Sequence, residues 1–232
     1  MDIETAWKFR VTGSTVEEVL ALDPDIVVGS TFMAPATRAA FERLDISVET
    51  LGIASSVDAS LAQVRQLAEL TGETELGEDL VTQIETALAG AAHTGVPTST
   101  VLWQPGGIVP GEGALISELM AQSGFASHSA QRGLQQADFL SLERMLADPP
   151  DLLLVAGQER AQQHPALAEL TDLRTERLES NLLFCGGPTI VRAAERLEDI
   201  RMSVRPREGG GLRPQADRRV EGGPRLRGGS GS

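Results

Sequence analysis

The sequence predicts an α/β protein built as two similar lobes with mainly parallel sheets, joined by one long spine helix, with the first lobe incomplete. Three observations carry this. Short apolar runs alternate with helical stripes along the chain. One fifteen-residue pattern is written twice, at a constant offset of 126. Between the copies lies a helical segment, Glu73 to His93, with no internal proline.

Taken in order, Met1 to Leu20 is polar and charged, without the positive beginning and apolar run of a secretory signal. A cytoplasmic protein, or a chain whose native start lies upstream, is the expectation. Ile26-Val27-Val28 reads as a buried strand behind a Pro-Asp turn, and Ile46–Leu51 as a second strand. Leu61, Val64, Leu67, Ala68 and Leu70 fall on one helical stripe. Leu76, Leu80, Val81, Ile84, Ala87, Leu88 and Ala91 then recur at helical spacing. At 1.5 Å per residue this helix runs about 30 Å, long for a crossover within one small sheet. Further strands are expected at Thr100–Trp103, Asp151–Val155 and Leu182–Cys185. The residues from Arg205 to Ser232 are rich in Gly, Pro and Arg and bury too little to offset the entropy of ordering, so disorder is expected there. The divisions are therefore 1–72 for the first lobe, 73–93 for the spine, 94–200 for the second lobe and 201–232 for the tail.

Composition narrows the function. The 232 residues are 41% hydrophobic and 23% charged, and no run approaches the roughly 18 apolar residues of a membrane span. A net charge of −13 divides unevenly, about −18 before Arg201 and +5 after it. The acidic body repels phosphate backbones and argues against nucleic acid as a partner. One cysteine, Cys185, excludes an intramolecular disulfide and any cluster needing several thiolates. His93, His128 and His164 lie far apart and suggest no metal site, and no cofactor is expected. His-Glu-x-x-His, Gly-x-Ser-x-Gly and Gly-x-Gly-x-x-Gly are all missing, which disfavours an enzyme.

The repeat is the most informative feature. Ser14 to Val28 matches Leu140 to Leu154: a glutamate, Glu17 or Glu143, stands behind an apolar residue, then Leu-Ala, Pro-Asp and a strand follow. The second lobe opens on Val101-Leu102-Trp103-Gln104-Pro105-Gly106-Gly107, a strand and a glycine-bearing loop, followed by Gly111 to Met120 and Ser123-Gly124-Phe125. Over roughly residues 14–200 this pattern resembles the substrate-binding proteins of ABC importers for ferric siderophores and cobalamin. The resemblance implies two Rossmann-like lobes, a ligand in the groove between them, and a monomer located in the periplasm or lipid-anchored at the cell surface. It implies as partners an ABC permease with its ATPase, and as cargo a small-molecule metal chelate. It also implies that Glu17 and Glu143 dock onto permease arginines; read alone, each is equally an acid favoured in the first turn of a helix. Relative to the family pattern the first lobe lacks about fifty residues, so a fragment that binds poorly is expected.

Groove candidates follow from position after the strands. They are Ser30, Thr31 and Phe32; Trp103, Gln104, Gly106 and Gly107; Gly157, Gln158 and Arg160; and Gly186, Gly187 and Thr189. Trp103 is read as a stacking face or as plain packing, and Arg160 as a partner for an anionic chelate or as solvated surface. The Gly106–Gly113 loop offers helix-start amides to an anion, or is a tight joint. With eight aromatic residues and no tyrosine, the chain favours a siderophore-like chelate over a corrin. A cytoplasmic Rossmann-like enzyme and a non-transporting interaction module are the remaining alternatives.

Overall fold

The computed structural model describes residues 9–13 and 15–204. The chain opens with α1 (Val16–Leu20), capped by Thr15 in a reciprocal capping box with Glu18. It continues into β1 (Ile26–Ser30), α2 (Pro35–Glu42) and β2 (Ser47–Leu51). β1 and β2 pair in parallel with Val27 opposite Val48, as a crossover through α2 requires. α3 (Val57–Thr71) and α4 (Thr74–Ala91) follow, then β3 (Thr98–Trp103), α5 (Leu115–Gln122) and β4 (Phe125–Ser127). The last elements are α6 (Leu142–Ala147), β5 (Leu152–Val155), α7 (Pro165–Ala168), β6 (Arg174–Arg177) and α8 (Thr189–Ser203).

The second sheet is fully parallel, in the order β4-β3-β5-β6. Its central strand β5 reads Leu-Leu-Leu-Val and is buried throughout, as a strand covered on both faces must be. Alternation along β3 and β5 sorts their side chains between two cores. Leu102, Leu152 and Leu154 join residues of α3, α4, α5 and α8 on one face. Val101, Trp103, Leu153 and Val155 join Met145 of α6 and Leu167 of α7 on the other. Because β4 and β5 lie on opposite sides of β3, the chain reverses direction between β3 and β5, a topological switch point.

Both copies of the repeat fold alike. Ser141 caps α6 at the position equivalent to Thr15, and each short helix turns through Pro-Asp into a parallel strand. Their surroundings differ. Among the described residues the first sheet has two strands, Val28 is 43% exposed, and Val27 and Phe41 are the buried apolar residues before α3.

The helix expected over 73–93 is α4, but it does not span the gap between sheets alone. α3 ends at Gly72, whose φ of 75° suits glycine, and the chain folds back so that α3 and α4 form an antiparallel hairpin. Gly77 of α4 packs on Ala68 and Glu78 pairs with Arg65 at 2.8 Å. Since Val57 and Leu61 share a core with Val81, Ile84 and Leu197, the hairpin is seated on the second sheet. The stripes shift slightly from expectation: Leu76 is 62% exposed and Leu67 is also on the surface, while Ser60 and Gly77 face inward.

Leu182–Cys185 is not a strand. Ser180–Leu182 is a 3₁₀ turn whose Leu182, with Leu183, covers the core, while Phe184 and Cys185 are exposed. The fourth strand is instead the polar Arg174–Arg177, because an edge strand needs little apolar surface. β4 was also not anticipated, being only three residues long. At the C-terminal end α8 runs to Ser203 and Val204 is buried in the core, so residues 201–204 belong to the folded part; residues 205–232 of the expected tail lie outside the described residues.

The α3–α4 contact gives a test. Replacing a helix-interior glycine with alanine ordinarily gains about 1 kcal/mol. At Gly77 the new methyl would stand 2.4 Å from the Ala68 Cβ. Gly77→Ala is therefore expected to destabilise by about 1–3 kcal/mol in urea unfolding, with Ala68→Gly restoring much of the loss. An increase in the unfolding midpoint for Gly77→Ala alone would refute this packing.

Candidate functional site

The loop leaving the carboxyl end of β2, the helix α5 and the loop leading into α8 meet around the start of α3. The loop leaving β2 enters α3 at Ser56, which caps it by accepting from Ala59 N. Glu118 of α5 accepts from Val57 N at 2.9 Å, and Ser60 Oγ accepts from Gly187 N at 2.8 Å. The approach at Gly186 is tight: a Cβ there would fall 2.3 Å from Ser60 Oγ and 3.7 Å from the Ala54 Cβ. The loop that follows β2, Glu118 of α5 and the loop that leads into α8 thus converge on one helix start.

The expected groove residues divide into two sets. Ser30, Thr31 and Phe32 are exposed after β1, with Ser30 Oγ accepting from Phe32 N at 3.2 Å. Gly106, Gln158 and Arg160 are exposed after β3 and β5, and Gly107, Gly157, Gly186 and Gly187 are half-buried. Thr189 is buried at the start of α8, and Gln104 is buried at the end of β3. Trp103 is not a stacking face. It is 1% exposed within the second core, and its indole N–H donates to the Leu140 carbonyl at 3.0 Å. The reason is register, since alternation along β3 turns the indole towards Val155 and Met145.

At the switch point the strand ends are stitched together. The Gln162 side-chain amide donates to the Trp103 carbonyl at 2.9 Å and to the Ala156 carbonyl at 3.2 Å, while its oxygen accepts from Glu159 N at 2.9 Å. Within the Gly106–Gly113 loop two amides serve as a joint: Gly106 N donates to Glu159 Oε2 at 2.7 Å and Gly111 N to Gln136 Oε1 at 2.9 Å.

Open volume lies one strand away. A cavity of about 570 Å³ sits between α5, the end of β4, the loop at 110–113 and the start of α3. Leu102, Met120 and Phe125 give it apolar walls, and Ser56, Glu112 and Glu118 give it polar ones. The sequence reading singled out none of these as a groove residue. Only the acid between two glycines, Gly111-Glu112-Gly113, signals a solvent-facing loop in the sequence. Phe139 and Phe184 were missed as well; both are exposed, and Phe139 lies over Gly107.

Glu17 and Glu143 are both exposed, each in the first turn of its helix. Its own backbone N–H, and then the Ser141 hydroxyl, hold the Glu143 carboxyl below the usual carboxylate range. Among the described residues no group of His, Cys, Asp and Glu is arranged to hold a metal ion. His128 is 3% exposed. Its Nε2 faces the Asp148 carbonyl at 2.9 Å and its Nδ1 faces Ser99 Oγ at 2.9 Å. A carbonyl only accepts, so Nε2 carries the proton and Nδ1 accepts from the serine. Burial, reinforced by the neighbouring Arg132, pushes the His128 pKa down.

That shift fixes a pH dependence. An unfolded histidine titrates near about 6.5, so as pH falls the unfolded chain takes up the proton first. The stability held by the neutral ring is intact above that value and is lost as pH drops through the lower folded-state value. Between about pH 6.5 and 5 the urea midpoint of the native protein is expected to fall more steeply than that of His128→Asn. Parallel profiles would show that the ring does not titrate differently on folding.

Compared with known proteins, the chain matches the family model described as "Periplasmic binding protein" over residues 11–181. No curated protein sequence matches it. Among solved structures it is similar to the periplasmic haem-binding protein HutB of Vibrio cholerae, with 19% identity, coverage of 86% of this chain and 87% of that one, and a TM-score of 0.69. The vitamin B12 binding protein BtuF of Vibrio cholerae matches at 16% identity over 82% and 79%, with a TM-score of 0.60. A protein of the ABC-type Fe3+-hydroxamate transport system from Saccharomonospora viridis matches at 18% over 86% and 80%, with a TM-score of 0.57. At these identities the likeness to the solved structures is one of fold.

Proposed function

The chain belongs to the periplasmic binding protein family, and from that premise we propose that it captures a ferric siderophore or a related metal chelate, cobalamin included, between its lobes. It delivers that cargo to an ABC permease driven by its ATPase. The observation that carries this reading is that the start of α3, which follows the first sheet, is bonded to α5 and to the loop before α8, both of which follow strands of the second sheet. Open α/β sheets bind ligands beyond the carboxyl ends of their strands, and two such sheets tied at one junction make a cleft. The fold neighbours that bind haem and vitamin B12, and the one from a hydroxamate transport system, support cargo of this class.

Delivery is assigned to the pair Glu17 and Glu143. They stand at equivalent positions of the two repeats, one per lobe, exposed on capped helices. Two carboxylates on separate bodies fix orientation by two-point charge pairing, which sets specificity and association rate more than affinity. The protein acts as a monomeric carrier in the periplasm or anchored at its membrane face, and no side chain is asked to perform chemistry.

Calorimetric titration of the full chain with ferric siderophores, cobalamin and haem is expected to find at least one chelate bound at about 1 μM or tighter. Glu17→Ala combined with Glu143→Ala is expected to leave that affinity within about twofold while lowering permease-dependent uptake at least tenfold, the scale of losing a desolvated charge pair. Unchanged uptake removes the docking assignment, and no binding across the panel removes the carrier assignment.

A further inference from the structure

We propose that the cavity beside β4 is the compartment that recognises the cargo, and that it selects a chelate carrying positive charge and apolar spacers over one carrying carboxylates. This rests on the carrier reading above and narrows it to a charge class.

The cavity's volume, about 570 Å³, falls within the range of about 300–1,000 Å³ usual for small-molecule sites. Its walls are of two kinds. Leu102, Met120 and Phe125, nearly fully buried, close its apolar floor from β3, α5 and β4. Glu112 and Glu118 bring two carboxylates, with serine hydroxyls between, and no arginine, lysine or histidine is among its described lining residues. One place where an anion would otherwise gain, the amino end of α3, is taken: the Glu118 carboxylate already accepts from Val57 N. An anionic cargo would meet two like charges and a helix end that is already neutralised. A cargo bearing an ammonium group or amide N–H donors, with methylene spacers, meets acceptors and an apolar wall. The acidic body of the protein adds attraction of the same sign at longer range.

Two variants address the site without touching its supports. Glu112 is exposed on the loop, and Gly113 has nothing within 4 Å of an added Cβ. The probe pair is a linear ferric tris-hydroxamate with a free terminal amine and the same chelate with that amine acetylated, which differ by one unit of charge. Calorimetry on the full chain at low salt is expected to find the amine form bound about tenfold more tightly, the effect of one charge at partly screened contact distance. Salt is expected to narrow the gap, Glu112→Gln to reduce it below about threefold, and Gly113→Trp to weaken both probes at least tenfold by filling the mouth.

Equal binding of the two probes, or a gap untouched by Glu112→Gln, overturns the charge selection while leaving the carrier reading standing. Tighter binding of haemin or a ferric carboxylate chelate does the same. Full affinity in Gly113→Trp overturns the assignment of the cavity. Failure of every chelate, cationic, neutral and anionic, removes the carrier reading and this inference together.

Discussion

The junction between the two sheets depends on how the first turn of α3 is held. Two hydrogen bonds made across long stretches of chain fasten it: Val57 N to Glu118 and Gly187 N to Ser60. Both engage groups that a helix start or a loop would otherwise leave to solvent. Because α3 leads directly from β2, these bonds set where the small first sheet stands relative to the large second one. The α3–α4 hairpin then carries that placement into the core, through Val57, Leu61, Val81 and Ile84. Among the described residues the first sheet has few buried apolar residues of its own.

Much of the fold is legible in the sequence because the strongest signals there are also the strongest constraints in space. The duplicated pattern survives as two capped helices, two Pro-Asp turns and two parallel strands, with Thr15 and Ser141 doing the same work. β5 is legible because a doubly covered strand must be apolar along its whole length. β6 is not, since Arg174–Arg177 pairs through its backbone at an edge and its side chains record nothing of that. Leu182 and Leu183 mislead for the complementary reason: a turn that lids a core is as apolar as a strand inside one.

The candidate site was less legible. Reading residues that follow strands finds the carboxyl edge of each sheet, where Ser30 to Phe32, Gly106 and Arg160 are exposed. It cannot say which side chains turn back into the core, as Trp103 does, or which buried amide ties strand ends together, as Gln162 does. Nor can it find the cavity, whose walls come from positions as distant as Ser56, Leu102 and Phe125. Volume between elements is a product of packing, and no local pattern encodes it.

Gln162 has one more consequence. A single primary amide, carried on the 3₁₀ turn Ala161–Gln163 that follows β5, ties the last carbonyl of β3 to the carbonyl just past β5. The seam at which this sheet reverses is thus fastened by the very loop that borders it, so rewriting that loop also loosens the scaffold.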